Sequence, residues 1–215
     1  MKAILIIYIF IEFINSTIVL TESGHGKINE YFYELSYSVS IGRAKMSINE
    51  NNFTCFWKNI EYVDFLYGKY IDPPKKWDKL ENLNYEAKIN AIGDMMAGIH
   101  GEAFLYEFFS IIEYYSDEYV PPGISLGTIF VDDGEYEIYY DEKIAQPNIH
   151  GISKQIIFSS IRKEKRLKGT INLYKHFQSW KEKGCNYESI SRIAFIIDAS
   201  NSMGNATLNQ IEISC

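Results

Sequence analysis

The chain has 215 residues, of which 47% are hydrophobic and 23% charged, and this balance excludes a disordered chain, a collagen-like repeat and a multi-span membrane protein. Its 21 basic against 28 acidic side chains give a net charge of -7, and no basic stripe is present to neutralise a phosphate backbone, which argues against nucleic acid as a partner. The aromatic content is 15% and includes 17 Tyr. Tyr joins an apolar ring to a hydrogen-bonding tip, which suits half-buried strands and also a groove for a flat, hydroxylated ligand such as a sugar ring.

In chain order, Lys2 is followed by an apolar run from Ala3 to Ile11 that ends at Glu12. This reads as a secretory signal peptide over residues 1–20, with an apolar stretch too short to span a bilayer; an uncleaved anchor is the alternative. Residues 21–30 are polar and glycine-bearing, as in a leader, and the domain is expected over 31–215. The mature protein is then secreted, extracellular and free of the membrane. Three cysteines, Cys55, Cys185 and Cys215, allow at most one intrachain disulfide, and free packing thiols are equally compatible with their spacing.

From Tyr31 onward the dominant period is two. Leu35, Tyr37, Val39 and Ile41 alternate with Ser36, Ser38 and Ser40, which predicts a strand. Further strands are predicted at Phe53 to Trp57, Ile111 to Tyr115, Thr128 to Val131, Tyr136 to Tyr140, Ile156 to Ile161, Ile193 to Ile197 and Leu208 to Ile213. Asp133-Gly134 between two of these runs signals a hairpin. Only Leu173, His176, Phe177 and Trp180 have helical spacing, with Asn172 placed to cap the start and Gly184 the end, so one α-helix is predicted over about 172–183. Many strands and one helix favour an all-β sandwich or jelly roll over βαβ units, since parallel strands need repeated crossover helices.

The motifs that carry chemistry are few. Gly123-Ile-Ser125-Leu-Gly127 matches the serine-hydrolase elbow, but Pro121-Pro122 precede it where a strand is needed and a strand follows where a helix is needed, so it reads as a loop. The four histidines form no His-Glu-x-x-His pair, and no metal or cofactor is expected. His176 lies on the apolar helix face and reads as a packed core residue. The informative elements are two carboxylates in apolar strands. Glu113 sits in Ile-Ile-Glu-Tyr-Tyr, where an unpaired charge is costly to bury, though an outward-facing edge position is equally compatible. Asp198 ends the run Ile193-Ala-Phe-Ile-Ile197. Two carboxylates on one concave sheet are what glycoside hydrolysis requires.

Taken with Tyr136-Glu-Ile-Tyr139, Gln146-Pro-Asn-Ile-His-Gly151, Ser160-Ile-Arg162, His176-Phe-x-x-Trp180 and the early strands through Asn52-Phe-Thr-Cys-Phe-Trp57, these segments resemble the glycoside hydrolase family 11 xylanases in order and spacing, over roughly residues 31–213. Anaerobic fungal members resemble it most around Trp57. The resemblance implies a β-jelly roll of two curved antiparallel sheets, a concanavalin-like sandwich with one outer helix. It also implies an endo-1,4-β-xylanase, monomeric, acting on xylan or a related plant cell-wall polysaccharide by a retaining double displacement. In that family the position of Glu113 is the nucleophile and that of Asp198 the acid/base. Tyr115 would lie beside the nucleophile, and Tyr106 or Phe104 would be the cleft tyrosine. Lys143 would contact substrate near a thumb hairpin of Gln146 to Gly151, with Pro147 and Ile149 near its tip, and Asp64 would modulate the acid/base.

Departures from the family pattern point the other way. Asp198 stands where Glu is usual, which shortens its reach by about 1.5 Å, and misplacement of that size costs on the order of a hundredfold. Lys143 replaces an arginine, Ile157 a glutamine that holds the nucleophile, and Ser36 a stacking tryptophan. A degenerate secreted polysaccharide-binding protein of the same fold is the competing expectation.

Overall fold

A computed structural model describes residues 17–38, 42–50, 52–103, 107–144 and 154–214. Its frame is three long strands: β5 (Phe53–Lys76), β6 (Asn82–Glu102) and β12 (Ser189–Ile213). β12 lies between the other two, antiparallel to both. The first half of β5 pairs with β4 (Arg43–Ile48) and its second half with β3 (Tyr31–Tyr37). Likewise β6 pairs first with β11 (Lys168–Asn172) and then with β7 (Glu107–Tyr115). The long strands therefore run through both layers of the sandwich. They bend where Asn59, Gly93 and Asn201 take left-handed backbone conformations, beside a register shift between Ser202 and Gly204.

The sheet continues from β7 to β10 (Lys154–Arg162), then β9 (Gly134–Ile144) and β8 (Ile124–Val131). Among the described residues the β7–β10 pair is parallel and the other strand pairs are antiparallel. β8 and β9 are joined by a two-residue turn at Asp132-Asp133, both with positive φ, as a type I′ hairpin demands; the turn thus begins one residue before the predicted Asp133-Gly134.

Alternation sorts side chains between two apolar clusters. On β12, Ile193, Phe195 and Ile197 enter the main core with Trp57, Phe65 and Phe109, while Ala194 and Ile196 join Phe32 and Leu66 on the opposite face. α1 (Leu173–Glu182) forms as its spacing predicts. The Asn172 side chain accepts from the Lys175 N–H at 3.0 Å, Gly184 takes φ +97° past the end, and Leu173, His176, Phe177 and Trp180 are buried. Each large apolar side chain so buried contributes about 1.5–3 kcal/mol.

Several expectations are corrected. Residues read as signal end and leader belong to the sheet: β1 (Ile18–Leu20) pairs with β4 and β2 (Gly24–Ile28) with β3, because their backbone groups complete exposed ladders. Asp198 does not end a strand; the two runs predicted around it are one strand, β12, carried through its small polar stretch by pairing on both sides. Ile124 to Gly127 is not a loop but the start of β8, where Ser125 Oγ donates to Glu137 at 2.7 Å. Cys55 and Cys185 are buried free thiols. No helix among the described residues is long and apolar enough to cross a membrane.

Candidate active-site cleft

The face of the sheet away from the main core forms a cleft of about 390 Å³. Its floor crosses β5, β12, β6, β7 and β10, because on each strand the cleft takes the alternate residues that the core leaves. One side is acidic. Asp198 and Asp64 are register partners on β12 and β5, and Tyr62 and Asp94 line the same side. Tyr62 Oη donates to Asp64 Oδ2.

Both carboxyls of the pair are raised above the ordinary aspartate range. For Asp198 the causes are burial first and then the neighbouring Asp64, partly offset by Lys143. For Asp64 burial is again the main cause, opposed by the Tyr62 hydrogen bond. Two like-charged groups in one desolvated site cannot both ionise cheaply, so the pair holds a proton where a lone aspartate has lost it. The raised Asp198 carboxyl and its register partner Asp64 thus share the acidic side of the cleft. Lys143 also lines the cleft and pairs with Asp141 at 3.4 Å.

The opposite side mixes apolar and polar groups. β7 presents Phe108, Ser110 and Ile112, and β10 presents Gln155, Ile157 and Ser159. Ser110 is engaged by His100 Nδ1 at 3.1 Å. Burial and the nearby Arg192 lower His100 to about 4, so this ring is neutral at physiological pH.

Glu113 is not in this cleft. It is 1% exposed and lies on the other face of β7, five residues beyond Phe108 and hence out of phase with it. A bulge opposite Ala97 and Gly98 leaves Glu113 without a ladder partner. Its carboxylate accepts from Tyr85 Oη at 2.8 Å, from Tyr136 Oη and from Arg166 Nε. Arg162 Nη1 in turn donates to Tyr136 Oη at 2.9 Å. The ion pair and phenols satisfy Glu113 internally, which is how a carboxylate is kept inside an apolar layer. The Glu113 and Asp198 side chains, expected to face each other, point to opposite faces of the sheet. Ile157, expected to stand beside the nucleophile, has Phe108 as its register partner. Sequence reasoning missed Phe108, and the signal was available in the even spacing of Phe108, Ser110 and Ile112.

Tyr115 packs on Tyr119, whose ring lines the cleft, with centroids 5.7 Å apart, and Lys165 lies 4.7 Å from its own ring. Tyr106, Phe104, Pro147 and Ile149 lie outside the described residues, as does the expected thumb. Ser36 is on β3 opposite Asp64. His176 is a core residue as expected: Nδ1 meets Ser160 Oγ at 3.0 Å and Nε2 meets Asp132 Oδ2 at 3.1 Å. That Ser–His–Asp series resembles a hydrolytic triad, but His176 and Ser160 are wholly buried and no substrate reaches them. No cluster able to hold a metal ion occurs among the described residues.

Comparison with known proteins agrees with the fold. The model of the family described as Glycosyl hydrolases family 11 matches residues 29–209. The chain is 29% identical over 201 residues to endo-1,4-beta-xylanase A of Bacillus pumilus, covering 90% of this chain and 86% of that one. It is 30% identical over 203 residues to endo-1,4-beta-xylanase A of Thermoclostridium stercorarium, covering 91% of this chain but only 30% of that longer protein. Among solved structures, the family 11 xylanase from Neocallimastix patriciarum superposes with a TM-score of 0.81 at 19% identity, over 93% of this chain and 99% of that one.

Proposed function

Because this chain belongs to glycosyl hydrolase family 11, we propose that its cleft takes β-1,4-xylan or a related plant cell-wall polysaccharide, and that it does so without the retaining double displacement. The names of its relatives support xylan as the ligand. The orientation of β7 carries the second half: a double displacement requires a carboxylate about 5 to 5.5 Å from the acid/base to attack the anomeric carbon, and β7 turns Phe108, Ser110 and Ile112 to the cleft and Glu113 away. The alternative, endo-1,4-β-xylanase turnover, is favoured by Asp198. A carboxyl kept protonated by burial and a like-charged neighbour is what protonation of a leaving oxygen needs. The apolar amino-terminal run supports export to where such polysaccharides occur, with the protein acting as a monomer.

The test is to titrate the protein with xylohexaose and, in parallel, to incubate it with xylan and measure reducing ends. Binding without release supports recognition alone. Release of sugar with retained anomeric configuration, abolished in a folded Glu113→Gln variant, overturns it in favour of the xylanase reading.

A further inference from the structure

The two carboxyls on the acidic side of the cleft are not served alike. Two residues before Asp64, on the same face of β5, Tyr62 donates its phenol proton to Asp64 Oδ2. Burial and the neighbouring carboxyls raise the Tyr62 phenol, so it remains a donor wherever the pair titrates. The second oxygen, Asp64 Oδ1, is buried without a hydrogen bond to the protein. Its register partner Asp198 can supply one when it carries the proton. No hydrogen bond like that of Tyr62 serves Asp198 among the described residues.

The surrounding charges do not separate the pair. Glu34 on β3 adds to the rise of Asp64, Asp94 on β6 adds to that of Asp198, and the Tyr119 phenol also lies near Asp198. Lys143 favours charge on Asp198, but its side chain is 59% exposed and paired with Asp141, so its pull is screened. A hydrogen bond made directly to a carboxylate is the stronger bias, and it favours charge on the group that accepts it.

We propose that Tyr62 is a positioning residue that decides which carboxyl of the pair carries the shared proton: by donating to Asp64 it fixes the charge there and leaves the proton on Asp198. A sugar hydroxyl, which both donates and accepts, then meets an acceptor at Asp64 and a donor at Asp198. This deepens the reading of the cleft given above, and its test is made without sugar, so that its failure is separable from failure of the xylan reading.

The experiment follows the carboxyl carbons of the full chain, labelled with 13C at Asp, by NMR through a pH titration, with Asp64→Asn and Asp198→Asn assigning the two signals. In the unmodified protein the first deprotonation should appear on Asp64 and the second on Asp198. In Tyr62→Phe the first step should move up by about one pH unit, the lower end for losing a hydrogen bond to a charged group, and should be read on both carbons. Tyr62 is 39% exposed and the substitution keeps the ring, so the variant should fold, which a circular dichroism melt checks. In the Asp64→Asn background Tyr62→Phe should leave the Asp198 titration where it is. A first step on Asp198 in the unmodified protein, titrations unmoved by Tyr62→Phe, or an equal effect of Tyr62→Phe with Asp64 replaced would each overturn the proposal.

Discussion

Glu113→Gln separates an internal ion-pair partner from a nucleophile. In the fold the Glu113 carboxylate is held by Tyr85, Tyr136 and Arg166, and the side chains of the pair are 1% and 21% exposed. The substitution keeps the volume but removes the charge, leaving Arg166 without its counter-ion. Breaking one partner of a buried pair costs roughly 3–5 kcal/mol. Because a fifth of Arg166 reaches water and recovers some hydration, the lower end, about 3 kcal/mol, is expected. For a domain of this size each kcal/mol moves Tm by about 2–4 °C, so the midpoint should fall by roughly 6–12 °C. Thermal unfolding followed by circular dichroism reads this directly. Arg166→Met alone and combined with Glu113→Gln completes a double-mutant cycle, in which the pair should show clear non-additivity. Xylan affinity at a temperature where the variant is folded should be unchanged. A Tm within about 2 °C of the unmodified protein, together with loss of sugar release, would refute the assignment of Glu113 to the interior and restore it as a nucleophile.

Phe108→Glu combined with Ile157→Gln places a carboxylate and its hydrogen-bond partner on the cleft wall; reducing-end release from xylan should rise at least tenfold over the parent's, on the order of one lost transition-state interaction regained, and no rise means position 108 is not where attack occurs. Asp198 has a folded-state pKa raised by burial and by Asp64, so the folded protein binds that proton more tightly than the unfolded chain. Its contribution is present at low pH and is lost as pH rises from about 4. Relative to the parent, Asp198→Asn should therefore gain stability in urea unfolding as pH is raised toward neutrality; a pH-independent difference contradicts the shift. Ser160 accepts from Trp180 Nε1 at 2.9 Å and meets His176 Nδ1 at 3.0 Å. Ser160→Ala should cost about 2 kcal/mol in a urea titration, since it leaves buried polar groups unpaired, with no change in xylan affinity.

How legible the molecule is from its sequence depends on whether the deciding interactions are local. The helix from Leu173 is readable because spacing and caps lie within a dozen residues. The existence of strands is readable for the same reason, but not the continuity of β5, β6 and β12. Their polar middles are held in the sheet by ladders with partners far along the chain. Asp198 and Asp64 were brought together by family resemblance, and their adjacency is a matter of register between β12 and β5. Glu113 defeats sequence reading because Ile-Ile-Glu-Tyr-Tyr is equally apolar whichever face the acid takes. The face follows from the phase set at Phe108 and Ile157 and from the bulge opposite Gly98, both properties of neighbouring strands.

The position of β12 bears on how the protein reaches this state. β12, last in chain order among the described strands, lies between β5 and β6 and is joined to both along most of its length. Until residues 189–213 are available, the strands made earlier form two separate half-sheets, each with an unpaired inner edge. Assembly then waits for β12, and its rate is governed by contacts of large sequence separation, the slow regime for folding. During that interval the open edges of β5 and β6 are the surfaces on which nascent chains of this protein would pair with one another. Loss of Gln210 to Ile213 opens the β6 edge from Leu83 to Glu86, while loss of the whole strand leaves both edges open.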